Sequence, residues 1–258
     1  MRGSILRDLL ILLGVFGLIW LAASLFRYPA DPQLLNIEKE EKLGEAYMEG
    51  ILLNPMFKKL DNERVDSAVG VIGDLLEAGL EDSEYDYRFV VIDNKMVNAF
   101  TLPGGNILIS TGLIGFCDTP EELASVMAHE MGHVEKRHVV SRLVKELGID
   151  ILTSGDPYVM GEVTGLLTST SFDRRQEEEA DRFASVLLEQ SAIEPRSLAT
   201  LFRKLEEESD NGLMEHFEII STHPDFRTRI REALSYKPGD DFEARPIGLD
   251  WEEIKAEL

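Results

Sequence analysis

The feature that most constrains the fold is a helix whose start is marked in the sequence. Thr119 is a natural N-cap, the proline after it suits the first helical position, and Glu122 completes a capping box. We therefore predict one continuous helix over residues 120–146. His129 and His133 lie four residues apart within AHEMGH, so both imidazoles should extend from one face of that helix.

Two imidazoles on one helical face can bind a single tetrahedral metal ion, which makes this helix a candidate zinc site. Glu130 is rotated by about 100° from the first histidine. We predict that it borders the open coordination position and accepts a proton from water there. Gly132 supports a site of this kind, because glycine costs a helix about 1 kcal/mol relative to alanine and suits the close approach of another element. The alternative is two solvated histidines on an ordinary helix.

A catalytic zinc ion needs a third protein ligand, and this helix does not supply it. Position 139, where a third histidine follows in metzincin-type sites, is a valine. His138 projects elsewhere on the predicted helix, and we interpret it as structural or as a support for a ligand. The third ligand is therefore expected further along the chain.

Glu177 and Asp181 are the candidates for completing the site. They lie four residues apart on a predicted helix over residues 174–190, so they share a face. Glu177 can bind zinc, and Asp181 can accept a hydrogen bond from the outer nitrogen of a ligand histidine and fix its tautomer. We interpret their neighbours Glu178 and Glu179 as a solvated charged face.

The rest of the pattern predicts an α+β fold that is mostly helical, with a small mixed sheet. Segments with helical apolar spacing are followed by short runs typical of strands, and Pro103-Gly104-Gly105 between two of these runs indicates a hairpin. Gly-, Ser- and Thr-rich residues 153–170 are interpreted either as a lid over the site or as a plain connecting loop. The other predicted helices cover residues 34–53, 63–80, 195–209 and 224–236, and the predicted strands cover residues 87–93, 98–102 and 106–110.

Charge and cysteine content exclude several partners and metal sites. The formal net charge of −22 repels nucleic acid and anionic membrane surfaces, so we expect no nucleic-acid partner. Cys117 is the one cysteine of the chain, so neither an intrachain disulfide nor a zinc site of several thiolates can form. Any metal must be held by histidines and carboxylates, and we interpret Cys117 as a buried bystander.

Four motifs, in this order along the chain, resemble those of the HtpX-like zinc metallopeptidases. These are gluzincins that include the CAAX prenyl endopeptidases and periplasmic proteases of outer-membrane quality control. The motifs are NAFTLPGG, HEMGH, RRQEEEAD and STHP, and the resemblance covers residues 98–230. It implies a zincin-like fold with one Zn2+ per chain. The residues that match the zinc ligands are His129, His133 and Glu177, Glu130 matches the catalytic base, and Asp181 matches the partner of His129.

The resemblance also implies contacts with a polypeptide substrate. One stretch matches an edge strand that pairs with the substrate backbone. His223 matches a histidine that lies near the metal, where it acts as a fourth ligand or steadies the oxyanion. From the sequence alone it can equally be a residue at a helix start. The residues that match the edge strand are Asn98, Ala99, Phe100 and Thr101.

These features together predict a zinc-dependent endopeptidase of the cell envelope that hydrolyses misfolded or unassembled proteins. The alternative is a zinc-binding envelope chaperone or assembly factor with little proteolysis. Well-known members of the family span the membrane several times, whereas this chain has one apparent span. We therefore expect the branch with a soluble catalytic domain, and we predict no particular oligomeric state.

The apparent span divides the chain into three predicted parts. Leu9–Phe26 has no charge over 18 residues, and such a run rises about 27 Å as a helix, roughly the thickness of a hydrocarbon core. We predict a membrane anchor over residues 1–27, a metallopeptidase domain over 28–236 and a loosely held tail over 237–258. Basic residues before the span favour a catalytic domain outside the cytoplasm, in the periplasm. Secretion to the periplasm after signal cleavage is the alternative.

Overall fold

A computed structural model describes two compact units of the chain. The first is Met1–Asp31 and the second is Pro32–Leu258. The described residues are 12–18, 35–152, 159, 161–163, 165–166, 171–210, 217–223 and 225–258. Most of the predicted span and much of the predicted lid lie outside these ranges. Among the residues that the structure describes, no helix combines the length and the apolar character needed to cross a bilayer.

The second unit is an α+β fold, as predicted. Its described helices are α1 (Ile37–Leu52), α2 (Glu63–Gly79), α3 (Thr111–Phe116), α4 (Pro120–Glu135), α5 (His138–Leu147), α6 (Ile149–Leu152), α7 (Arg174–Gln190), α8 (Ser197–Asp210), α9 (Glu218–Thr222), α10 (Phe226–Ser235) and α11 (Trp251–Lys255). Its strands are β1 (Arg88–Ile92), β2 (Ala99–Thr101) and β3 (Asn106–Ser110).

The three strands form the small mixed sheet that the sequence predicts. β3 lies in the centre, parallel to β1 and antiparallel to β2. The predicted hairpin joins β2 to β3, and Gly104 and Gly105 in it have φ angles of +69° and +77°. Glycine is needed at Gly104, because a Cβ there would also lie 2.5 Å from the Cα of Glu41 on α1.

Helices pack against the sheet and share a core with it. α2 packs against β1 and α4 packs against β2. Val91, Ile107 and Ile109 belong to the main hydrophobic core that these helices share. The Phe100 side chain points to the face of the sheet opposite to those of its neighbours on β2. There it packs edge-on against Phe57, with ring centres 5.4 Å apart. Because helices pack against the sheet, its edge strand β2 is held firmly beside α4.

The predicted continuous helix over 120–146 is wrong, because the chain turns between α4 and α5. Arg137 adopts a left-handed conformation with φ of +54°, which is uncommon for a residue with a side chain. Its guanidinium donates to Oε2 of the buried Glu40 from Nε at 3.0 Å and from Nη2 at 2.7 Å. This ion pair with α1 stabilises the turn. As a result His138 begins a new helix instead of continuing the old one.

The start of α4 follows the predicted cap with one difference. Thr119 Oγ1 accepts a hydrogen bond from the Glu122 amide at 3.3 Å, as expected for an N-cap. The Glu122 carboxylate accepts from the Asp118 amide at 2.8 Å instead of from the Thr119 amide. Two amides at the helix start are still satisfied, so the helix begins at the predicted residue.

The expectation of a loosely held tail is wrong. Ile247, Trp251 and Ile254 are buried and belong to the main core. The Trp251 indole Nε1 donates to the Cys117 carbonyl at 2.8 Å, and Cys117 itself is buried, as predicted. The spacing of these three apolar residues, at i, i+4 and i+7, is helical and could have indicated a packed helix.

We predict that Trp251→Ala lowers the free energy of unfolding by about 3–5 kcal/mol, because it removes a buried aromatic side chain and leaves a cavity. Urea unfolding followed by circular dichroism measures the change. The control is Glu252→Ala, since the Glu252 side chain is 81% exposed and its loss should change the unfolding free energy by no more than about 0.5 kcal/mol. Equal stability of the two variants would show that this segment contributes nothing to the core.

Candidate active site

Four buried side chains from three helices converge on one point. His129 and His133 come from α4, Glu177 comes from α7, and His223 directly follows the last residue of α9. Each offers one donor atom, and these atoms lie within 4.8 Å of one another. The structure therefore brings together all three predicted ligands and the histidine whose role the sequence left open.

The spacing of these donor atoms fits a tetrahedral metal ion. Ligand atoms about 2.0–2.1 Å from a tetrahedral zinc ion lie about 3.3 Å from each other. His129 Nε2 lies 3.1 Å from His133 Nε2 and 3.2 Å from His223 Nδ1. Glu177 Oε1 lies 2.9 Å from His223 Nδ1 and 3.6 Å from His133 Nε2. Imidazole nitrogens and a carboxylate are donors that zinc accepts, so these residues fit the ion.

Gly132 allows the two ligand-bearing helices to approach closely. A Cβ at Gly132 would lie 3.0 Å from both the Cα and the carbonyl oxygen of Ala180 on α7. Nothing larger than hydrogen fits there without a shift of the helices. A close approach at this glycine is predicted from the sequence, and the element that approaches is the helix that carries Glu177.

A capping box fixes the start of α7, one turn before Glu177. The Asp173 carboxylate accepts from the Gln176 amide at 3.0 Å, and the Gln176 side chain accepts from the Asp173 amide at 3.1 Å. The Phe172 amide donates to the Thr222 carbonyl at 3.2 Å, which ties this start to the end of α9. Asp173 is therefore the N-cap of α7.

Asp181 lies one turn after Glu177 and holds the outer side of His129. Its Oδ1 is 2.8 Å from His129 Nδ1, so it can fix the tautomer whose Nε2 lone pair faces the other donors. Arg229 donates to both oxygens of Asp181 at 2.7 Å. Burial alone would raise the pKa of Asp181, but the charge and hydrogen bonds of Arg229 and His129 outweigh it and lower the pKa. The carboxylate is therefore ionised at neutral pH.

His133 is held through a chain of two further side chains. Its Nδ1 lies 2.9 Å from His138 Nδ1, and His138 Nε2 lies 3.1 Å from Glu179 Oε2. Protons on His133 Nδ1 and His138 Nε2 satisfy both contacts and leave the His133 Nε2 lone pair facing the other donors. Burial lowers the pKa of His133, which favours this neutral form. Glu179 is thus more than a solvated residue, whereas Glu178 is exposed, as predicted.

Arg229 is a site residue that the sequence analysis missed. It is 3% exposed, although it carries a charge. Its Nη1 lies 2.8 Å from Glu177 Oε2, and its guanidinium carbon lies 4.1 Å from the centre of the Phe202 ring. One signal for it was available: with Phe226 and Ala233 it forms the buried face of α10, where an arginine is unexpected.

Opposite charges set the ionisation of the central groups. Burial alone would raise the pKa of Glu177, but His223 and Arg229 outweigh it and lower the pKa to about 2. Burial alone would lower the pKa of His223, but Glu177 and Glu130 outweigh it and raise the pKa. Glu177 therefore carries the negative charge that a cation needs.

Glu130 lies beside the four donors without belonging to them. Its Oε1 is 3.6 Å from His223 Nε2, and its Oε2 accepts a hydrogen bond from the Thr101 hydroxyl of β2. It is 1% exposed. The rotation of about 100° along the helix predicted this position at the border of the site.

The four predicted substrate-contact residues lie at the edge of the described sheet. β2 pairs with β3 on one side. The Asn98 carbonyl and the Leu102 amide bond β3 at 3.2 and 2.8 Å, so backbone groups of the alternate residues Ala99 and Thr101 are directed to the other side. The Ala99 amide is taken by the Asn98 side chain at 2.9 Å. The Ala99 carbonyl and both backbone groups of Thr101 therefore face this edge.

The fold and the site define a class of protein: a metallopeptidase of the gluzincin type, with two histidines and a glutamate around one metal position and a second glutamate beside it. The chain belongs to peptidase family M48, whose family model matches residues 60–237. This match covers more than half of the chain and confirms the family that the four motifs indicated.

Curated relatives include peptidases of bacteria and mitochondria. The beta-barrel assembly-enhancing protease of Escherichia coli (strain K12) is 28% identical over 216 residues, which is 77% of this chain and 44% of that protein. Mitochondrial metalloendopeptidase OMA1 of Arabidopsis thaliana is 32% identical over 150 residues, 56% of this chain and 30% of that protein. OMA1 of Schizosaccharomyces pombe is 26% identical over 168 residues, 62% of this chain and 49% of that protein. The chain thus spans less than half the length of these relatives.

We predict that Arg229→Met destabilises the metal-free protein by about 3–5 kcal/mol, because it leaves two buried carboxylates without their cation. Zinc affinity should also fall by about 10–100-fold, since Asp181 loses the group that orients it. Urea unfolding and competition with a zinc chelator measure the two effects. The control is Arg227→Met on the same helix, where the side chain is 77% exposed. If both variants behave like the wild type, Arg229 does not support the site.

Proposed function

We propose that the protein is a zinc-dependent endopeptidase. The observation that carries this proposal is the convergence of His129, His133 and Glu177 on one point, with Glu130 beside them but outside the donor set. Zinc, when bound, would act as a Lewis acid: it would polarise a peptide carbonyl and lower the pKa of water, so that water can be deprotonated and attack that carbonyl. The site residues prepare the protons and the geometry for that reaction.

Glu130 is the proposed base of the reaction. Its carboxylate is buried and held by Thr101, so it is fixed at the border of the metal position. It accepts a proton from the attacking water and then delivers that proton to the nitrogen of the departing amine. A carboxylate placed between the attacking and departing groups can perform both transfers without a second acid.

His223 has two proposed roles, and the geometry favours the role of a fourth ligand. Its Nδ1 lies 3.2 Å from His129 Nε2 and 2.9 Å from Glu177 Oε1, the spacing expected of a ligand atom. In that role His223 would compete with water for the metal, so it would have to move aside for catalysis. Its Nε2 lies 3.6 Å from Glu130 Oε1, beside the proposed base. In the alternative role it would donate a hydrogen bond to the oxyanion.

The proposed substrate is a polypeptide that lies extended along β2. The Ala99 carbonyl and the Thr101 amide and carbonyl can pair with its backbone as an added strand. This pairing would hold the scissile bond beside Glu130, because Thr101 contacts Glu130 directly. Asn98 and Phe100 are proposed to support the strand rather than to contact the substrate through their side chains.

We also propose the cellular context from the sequence. Residues 1–27 anchor the protein in a membrane, residues 28–236 form the catalytic domain, and that domain acts outside the cytoplasm, in the bacterial cell envelope. The names of the relatives, a beta-barrel assembly-enhancing protease and mitochondrial metalloendopeptidases, support unassembled or misfolded proteins as substrates. They also favour proteolysis over the alternative of a zinc-binding chaperone.

We predict that Glu130→Gln lowers the rate of casein cleavage by about 10²–10⁴-fold, because it removes the proton acceptor while keeping the shape of the side chain. The variant should still hold about one zinc per chain, since Glu130 is not in the donor set. The control is Glu178→Gln, which changes an exposed glutamate and should leave both properties unchanged. Full activity of Glu130→Gln in the cell would favour the chaperone alternative.

We predict that backbone pairing with β2 can be detected with ester-containing substrates. Replacing one substrate amide by an ester removes one N–H donor. This should lower kcat/KM by about tenfold at each substrate position whose N–H would pair with the outward carbonyl of Ala99 or Thr101. The neighbouring substrate positions should be insensitive, because their N–H groups point away from the strand. Uniform effects at all positions would contradict strand addition.

A further inference from the structure

Arg142 borders a small cavity next to the proposed base, and none of the functions described above uses it. It lies four residues after His138 on α5, so the two side chains share a face of that helix. His138 contacts His133, which means that this face is turned toward the metal site. Arg142 borders one cavity together with Thr101 of β2 and Glu130. A substrate paired with β2 would therefore pass its guanidinium.

The Arg142 guanidinium lies over an aromatic ring. It lies 4.5 Å from the centre of the Phe172 ring, and Phe172 is stacked on His133 with ring centres 3.8 Å apart. A guanidinium over an aromatic ring can direct the N–H groups of its planar fork past the edge of the ring. This is the geometry in which arginine binds a carboxylate through two parallel hydrogen bonds.

Arg142 keeps its positive charge although its burial disfavours that charge. Removal from water lowers its pKa to about 10, while Glu130 and Glu146 act in the opposite direction. The group is thus charged at neutral pH. A substrate carboxylate would recover part of the lost hydration energy of this charge. The net charge of −22 opposes acidic substrates only weakly here, because at physiological salt it is screened beyond about 8 Å.

We propose that Arg142 binds a carboxylate of the substrate close to the scissile bond and gives the enzyme a preference for it. The carboxylate belongs either to an aspartate or glutamate side chain or to a free C-terminus. This proposal rests on the proposed peptidase function and adds the substrate chemistry. A purely structural role for Arg142, through Phe172 and His133, would affect all substrates alike, which allows the two roles to be separated.

The test uses fluorogenic peptides that differ at one position near the scissile bond. Each position carries Glu, Gln or Lys in turn, with an amidated C-terminus, and one further Gln peptide has a free C-terminus next to the cleavage site. The full-length zinc-loaded protein is compared with Arg142→Gln and Arg142→Glu. The control is Arg64→Gln, which removes the same charge on α2, where the arginine pairs with Glu253 and Glu257.

The wild type should prefer either a Glu side chain at one position or the free C-terminus by about tenfold in kcat/KM, the usual size of a hydrogen-bonded charge pair. Which peptide is preferred identifies the source of the carboxylate. Arg142→Gln should remove the preference and leave cleavage of the amidated Gln peptide within about threefold. Arg142→Glu should reverse it in favour of Lys, and Arg64→Gln should change nothing.

Either of two kinds of result would overturn the proposal. In the first, Arg142→Gln slows all the peptides equally, which indicates support of Phe172. In the second, the preference survives in Arg142→Gln, or no preference exists in the wild type. Binding of the same peptides to Glu130→Gln, with and without Arg142→Gln, gives a readout that needs no cleavage. Carboxylate-dependent binding without any cleavage by the wild type would refute the peptidase function but keep the role of Arg142.

Discussion

The contact between α4 and α7 at Gly132 is the constraint on which the whole site depends. A Cβ at this position would lie 3.0 Å from the backbone of Ala180. His129 and His133 leave α4 within one turn of this contact, and Glu177 leaves α7 one turn before it. Any separation of the helices would therefore move the ligands apart by a similar amount. Because metal sites accept deviations of only about 0.2 Å in ligand distance, even a shift of a few tenths of an ångström at this contact would affect the site.

Helix packing alone cannot hold Glu177 and Asp181 in place, because two buried carboxylates repel each other and lose hydration. Arg229 compensates for both. It binds the two oxygens of Asp181 and contacts Glu177 Oε2, while Glu177 Oε1 faces the histidines. The two oxygens of Glu177 are thus divided between the arginine and the metal position. Arg229 keeps the carboxylates ionised and oriented, which lowers the cost of forming the site.

Local patterns predicted much of this arrangement. The helical period places His129, Glu130 and His133, and the same period pairs Glu177 with Asp181, so these positions follow from the sequence. The turn at Arg137 does not, because its left-handed conformation is stabilised by Glu40, almost a hundred residues earlier in the chain. The packed C-terminal segment and the partners of Arg229 are likewise long-range contacts. Helical periodicity predicts the direction of a side chain, but it does not predict which residue of another element that side chain contacts.

The turn at Arg137 shows why such long-range contacts matter for function. If α4 had continued as one helix, its last two turns would extend away from the site. The reversal instead brings α5 back, so that His138 supports His133 and Arg142 borders the small cavity beside Glu130. On the opposite side, Thr101 connects β2 to the same glutamate. Glu130 thus lies between the strand proposed to pair with the substrate backbone and the helix that carries Arg142. Under the proposed function, substrate recognition and proton transfer therefore depend on the same contacts around Glu130. The ion pair between Arg137 and Glu40 stabilises the turn that places α5 among these contacts.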